Sequence, residues 1–221
     1  MGSTPCSMFL NSIPFERSDC FCRACNGPCP ACRNNGGPLH TVAIALGSNL
    51  EQPLATLQSA WLDIQSRPCL TPVALSSPYR SEPVGMDSAN WFVNAAAVLK
   101  TSLPPHDLLH LLHTVEHKFG RKRYDTPHGY QNRTLDLDCL LYDDLILCDE
   151  HLSIPHPRMT DRLFVLAPLA EIAGECLHPY RRVTVATLLA KLQSRHPQQK
   201  IEPIRWLIDF PSYGSGKKKG S

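Results

Sequence analysis

The run Arg133-Thr134-Leu135-Asp136-Leu137-Asp138, continued by Cys139-Leu140-Leu141-Tyr142, alternates polar with apolar residues. A period of two is a β-strand pattern, because successive side chains leave opposite faces of the chain. Asp136 and Asp138 therefore share a face with Thr134, while Leu135 and Leu137 turn toward a core. Two neighbouring carboxylates repel each other unless a cation lies between them. Mg²⁺ suits such a pair, since it takes oxygen ligands, keeps several waters and shares its site with substrate phosphates. The plain alternative for a bare Asp-x-Asp is a solvated strand face. Here Arg121, Lys122, Arg123 and Arg133 precede the pair, and guanidinium forks match phosphate oxygens. The constellation points to phosphoryl transfer from a nucleotide without a Walker-type loop.

The remaining elements follow from periodicity. Thr41–Leu46 reads as a short buried strand, and Gly47-Ser48-Asn49 as a strand-to-helix turn with an N-cap signature. Leu54, Leu57, Ala60, Trp61 and Ile64 recur at helical spacing. Leu70–Tyr79 reads as a second strand, Ser81–Asn90 as a loop, and Trp91–Leu99 as a third strand with Phe92 and Asn94 on one face. That aromatic and amide could grip a flat heterocycle or form an ordinary half-buried edge. Pro104 and Pro105 open a second helix that ends at Gly120. The basic loop to Asn132 then enters the Asp strand, and a last short helix covers Val185–Leu192. The order strand, helix, strand, strand, helix, strand predicts an α+β fold. It is the ferredoxin-like βαββαβ core, an antiparallel sheet flanked by helices.

A chain of 221 residues with 43% hydrophobic and 19% charged residues is expected to hold one globular domain. A net charge of +2 gives no reason to expect a nucleic-acid partner. No apolar run is long enough for a membrane span, and no basic segment followed by an apolar one marks the N-terminus. The expectation is a cytoplasmic monomer. Six of the ten cysteines fall in the first 32 residues. Cys22, Cys25, Cys29 and Cys32 have the close spacing of a small zinc or iron–sulfur site. No histidine or second cysteine cluster supports a metal fold there, so 1–38 is expected to be a disordered extension. The domain is expected over 39–198, with a C-terminal tail over 199–221. Cys69, Cys139, Cys148 and Cys176 read as small buried apolar residues.

Taken together, these segments resemble the 6-hydroxymethyl-7,8-dihydropterin pyrophosphokinase family of folate biosynthesis. The resemblance spans roughly Thr41 to Leu192. It rests on Gly47-Ser48-Asn49-Leu50, Tyr79-Arg80-Ser81-Glu82-Pro83-Val84-Gly85, Phe92-Val93-Asn94-Ala95, Glu116 with Gly120-Arg121-Lys122-Arg123, the Arg133–Asp138 run, and Pro155-His156-Pro157-Arg158-Met159 with Arg162-Leu163-Phe164. It implies transfer of the β,γ-diphosphoryl group of ATP to the pterin hydroxymethyl oxygen, with release of AMP. It also implies that Asp136 and Asp138 hold two Mg²⁺ ions. Arg121 and Arg133 would contact the transferring phosphates, with Arg123, His156 and Arg162 on the triphosphate and Glu116 on the nucleotide side. By the same resemblance Asn94 pairs with the pterin edge, Phe92 and Phe164 sandwich its ring, and Ser81 and Val84 supply loop contacts. Two departures stand out. Tyr130-Gln131-Asn132 replaces the usual Trp-Gly-Pro before the Asp strand, in a slightly longer loop, and Pro157 stands where an aromatic residue often follows the histidine. A non-catalytic nucleotide- or pterin-binding regulator on the same fold is the alternative, but the aspartates and arginines whose loss would mark it are all present.

Overall fold

β1 (His40–Ser48) is the strand to which the sheet is built. A computed structural model describes residues 38–82, 91–120, 134–211 and 213. After β1 come α1 (Pro53–Gln65), β2 (Leu70–Leu75), β3 (Tyr79–Ser81), β4 (Phe92–Thr101), α2 (Pro105–Lys118) and β5 (Asp136–Tyr142). A two-stranded ribbon of β6 (Leu147–Cys148) and β7 (Ser153–Ile154) follows. Then come α3 (Leu163–Ala173), α4 (Val185–Arg195) and β8 (Ile201–Pro203). The main sheet runs β5-β1-β4-β3-β8, with β2 pairing a different length of β4. Its pairings are antiparallel, as the ferredoxin-like expectation requires.

The period-two pattern of β1 sorts its residues between two hydrophobic clusters. Val42, Ile44 and Leu46 face one that includes Trp61 of α1 and Leu108 and Leu112 of α2. Ala43 faces the other, with Ala96, Leu140 and the apolar side of α3 and α4. Toward the end of β1 this second face carries Ala43, Ala45 and Gly47, all small. α2 buries Leu108, Leu112 and Val115 at helical spacing. Its last residue is Lys118 and its C-cap Phe119, and the Gly120 expected at its end follows with a φ of 80°, a conformation that suits glycine.

Four expectations are corrected. Gly47 and Ser48 belong to β1, because they stay paired with Asn94 and Val93 of β4. The helix starts only at Pro53, and Gln52 at its N-cap makes no side-chain cap bond. The strand expected over 70–79 breaks at Ser76-Ser77-Pro78. There Ser76 Oγ accepts from Ala96 N at 2.9 Å, and Pro78 has no N–H to give to a ladder. The expected tail is partly sheet, since β8 pairs with β3. Trp206, Phe210 and Tyr213 then pack against the first cluster. Tyr213 Oη accepts from Trp61 Nε1 at 3.3 Å and donates to Gln65 Oε1 at 2.7 Å. Lastly, Cys69 and Cys139 are buried, whereas Cys148 is exposed and Cys176 half-buried. Cys148 lies on the short two-stranded ribbon, apart from the main sheet. The cysteine run of residues 20–32 lies outside the described residues.

Candidate active site

A single lateral row crosses four strands. Asp136 of β5 lies opposite Gly47 of β1, Gly47 opposite Asn94 of β4, and Asn94 opposite Tyr79 of β3. Directly paired residues point to the same face of a sheet. The face is the one that α3 packs on, since Ala96, two residues past Asn94, belongs to the second cluster. Asp138 stands one step along, opposite Ala45. Phe92 and Ser81 stand one step in the other direction, opposite each other. The two aspartates are half-buried, and Leu137 between them is buried on the far face. The alternation thus places Asp136 and Asp138 on one face, as the sequence predicts.

Gly47 keeps this row open. A Cβ there would lie 3.0 Å from Asn94 Oδ1 and 3.9 Å from Asp136 Cβ. Asn94 is itself buried, and its Nδ2 donates to the buried Ser81 Oγ at 3.4 Å. One end of the amide is thereby held while the other faces the glycine.

His156 reaches the carboxylates from the segment after β7. Its backbone N–H donates to Leu140 O at 3.0 Å, which ties the segment to β5. Its Nδ1 accepts from Arg158 N at 3.2 Å. A neutral ring so held carries its proton on Nε2, and Nε2 lies 3.8 Å from Asp138 Oδ2. Burial lowers the imidazole pKa. The Asp138 charge opposes that shift, and the Arg162 and Arg158 charges reinforce it. Arg162 takes the N-cap position of α3, and its guanidinium carbon lies 5.6 Å from the centre of the Phe164 ring. Phe164 packs against the second cluster, on the same face as Asn94 and Phe92. His156, Arg162 and Phe164 are therefore delivered by one turn of chain to the face that carries the aspartates.

Glu116 is placed differently. It is buried in α2, and its Oε1 accepts from Leu137 N at 2.8 Å. Its carboxylate thus holds the backbone between the two aspartates. Arg121, Arg123, Arg133 and Val84 lie outside the described residues. Among the described residues no three His, Cys, Asp or Glu side chains converge as a metal cage. A half-buried pair of carboxylates fits Mg²⁺ that keeps its waters and is completed by phosphate oxygens, rather than a closed protein site. Nor, among the described residues, is any helix long and apolar enough to cross a membrane.

Residues 43–174 match the family model described as 7,8-dihydro-6-hydroxymethylpterin-pyrophosphokinase. The chain belongs to this family. It is 39% identical over 163 residues to the 2-amino-4-hydroxy-6-hydroxymethyldihydropteridine pyrophosphokinase of Haemophilus influenzae, covering 74% of this chain and 99% of that one. With the enzyme of the same name from Bacillus subtilis it shares 43% identity over 132 residues, or 60% of this chain and 77% of the relative. A crystal structure of Plasmodium falciparum HPPK-DHPS superposes with a TM-score of 0.59 at 15% identity, and there the likeness is one of fold. It covers 75% of this chain and 46% of that longer one. The pyrophosphokinase transfers diphosphate from ATP to 6-hydroxymethyl-7,8-dihydropterin, a step of folate synthesis.

Two residues to which sequence reading assigned no role also border the site. Tyr79 carries the lateral row onto β3, and Glu171 of α3 bonds to it. Neither carries a local signal: a tyrosine at a strand start and a glutamate on a helix are ordinary surface residues until the register is known.

Proposed function

We propose that Asp136 and Asp138 hold two Mg²⁺ ions against the triphosphate of ATP, with the pterin lying along the row from Gly47 toward Ser81. The metal ions supply charge neutralisation to the phosphates when bound. Arg121, Arg123, Arg133 and Arg162 bring guanidinium forks to the phosphate oxygens and balance charge on the leaving group. His156 offers Nε2–H as a neutral donor beside Asp138. Asn94 reads the pterin edge, Phe92 and Phe164 take its two faces, and Ser81 and Val84 close the loop side. Glu116 acts on the nucleotide side by holding Leu137, and so the spacing of the two carboxylates.

In the reaction the pterin hydroxymethyl oxygen bonds to the β-phosphorus. The bond from that phosphorus to the α,β-bridging oxygen breaks, and AMP leaves with the bridging oxygen. The hydroxyl proton passes to solvent. Holding the two substrates in line on one face accounts for a large share of the acceleration. The observation that carries this reading is the lateral row. It sets a carboxylate and an amide on either side of a glycine, which supports a reading in which the phosphate end of one substrate meets the ring end of the other there.

The test is AMP release from ATP, Mg²⁺ and the reduced hydroxymethylpterin. Asp136→Ala and Asp138→Ala should each nearly abolish turnover while the circular dichroism spectrum and Tm stay close to wild type. Wild-type turnover in either variant would remove the metal assignment.

A further inference from the structure

Glu171 lies about two helical turns beyond Phe164 on α3. Its Oε1 accepts from Ser77 N at 2.9 Å and from Ser77 Oγ at 3.0 Å. The Tyr79 hydroxyl bonds to the same carboxylate. Burial, with help from Glu171, pushes that phenol up to about 12, so it remains a donor. Ser77 and Tyr79 flank Pro78 in the break between β2 and β3. Tyr79 is the register partner of Asn94, and Ser81, two residues on, accepts a hydrogen bond from the Asn94 amide.

The walls of the proposed pterin site therefore come from separate elements. Phe164 belongs to α3, whereas Ser81, Phe92 and Asn94 belong to β3 and β4. Apolar packing joins α3 to the sheet through Leu163, Leu166 and Leu169. Such packing is non-directional. Hydrogen bonds to a backbone N–H and two hydroxyls fix position and direction.

We propose that Glu171 is a positioning residue: its grip on Ser77 and Tyr79 fixes α3 against β3 and sets the gap between Phe164 and the Asn94–Ser81 edge. This rests on the pterin site proposed above. Glu171 touches neither substrate, and its effect is read as selectivity between them.

The experiment compares the wild type with Glu171→Ala, Glu171→Gln and Tyr79→Phe. It reads KM for each substrate, kcat, and direct binding of oxidised 6-hydroxymethylpterin by fluorescence titration. Glu171→Ala is expected to weaken pterin binding and raise the pterin KM by roughly tenfold, with the ATP KM unchanged. Glu171→Gln keeps an acceptor oxygen and should recover most of the loss, and Tyr79→Phe should fall between. Wild-type pterin affinity in Glu171→Ala overturns the inference. So does an equal loss for both substrates that tracks a fall in Tm, which is the mark of general destabilisation. The binding arm separates this from the reaction itself. A wild type that binds pterin but releases no AMP defeats the reaction, and the clamp is still judged by titration. A wild type that binds no pterin defeats both.

Discussion

Asn94 Oδ1 lies 3.0 Å from the point where a side chain on Gly47 would begin. This is tighter than ordinary contacts at Cβ atoms, so a methyl group there must push the amide aside. Asn94 is held on its other end by Ser81. The glycine is thus required by the site and not by a turn. Gly47→Ala should cost about 1 kcal/mol of stability through overpacking, and should weaken pterin binding much more than ATP binding. Urea unfolding and substrate titration check this; unchanged pterin affinity would mean that the amide moves freely.

Glu116 makes a second prediction. Among the described residues β5 is the outermost strand on its side of the sheet, and no strand pairs with its far edge. Leu137 N–H gives its bond to the buried Glu116 carboxylate instead. Glu116→Ala leaves that donor buried and unmet, at a cost of about 1–3 kcal/mol. Glu116→Gln keeps an oxygen and should lose less. Because Leu137 sits between Asp136 and Asp138, the alanine variant should also need more Mg²⁺ for half-maximal AMP release. A normal Mg²⁺ dependence in a destabilised variant would confine Glu116 to the fold.

How far the sequence reached is clear at these same residues. The alternation around Asp136 put both aspartates on one face without any knowledge of neighbours, because strand geometry is local. Asn94 and Phe92 on one face followed in the same way. What it could not reach was register. That Gly47 lies between Asn94 and Asp136 depends on which residues pair across three strands, and Gly47-Ser48-Asn49 looked like a turn because those residue types favour turns. Tertiary pairing overrode that preference. The aromatic segment 201–213 was missed for a related reason. Trp206, Phe210 and Tyr213 follow no helical or strand period, and they are partly buried by what they happen to lie against.

Stability in acid should depend on Asp63. Its carboxylate joins two helices, accepting from Arg67 Nε at 3.1 Å just past the end of α1 and from Lys118 Nζ of α2. Burial works to raise this carboxyl, but the bonds and charges of Lys118 and Arg67 outweigh it and hold the pKa below the usual range. A carboxyl lowered by folding adds stability above the ordinary aspartate value near 4, and that stability fades as pH falls through the lowered pKa. Asp63→Asn should therefore be less stable than wild type at neutral pH by about 1 kcal/mol. The difference should shrink well below pH 4. Urea midpoints measured against pH decide it, and a gap that persists in strong acid would assign the effect to packing.

The segment after 200 tests whether the C-terminal part belongs to the fold. β8 is the outer neighbour of β3, pairing Ser81 with Ile201 and Tyr79 with Pro203. Ile204 N donates to Pro78 O at 2.8 Å, and Trp206 Nε1 donates to Ser76 O at 3.0 Å, so the segment also braces the break before β3. Fully burying a large apolar side chain contributes about 1.5–3 kcal/mol, and these three aromatics are each partly buried. Truncation after Lys200 should therefore cost at least about 2 kcal/mol, because Trp206, Phe210 and Tyr213 are lost together. Since β3 carries Ser81 and Tyr79, the truncated protein should also bind pterin more weakly while its Asp136–Asp138 side keeps affinity for ATP. Urea unfolding and separate substrate titrations read the two effects. Wild-type stability after truncation would return the segment to the status of a tail.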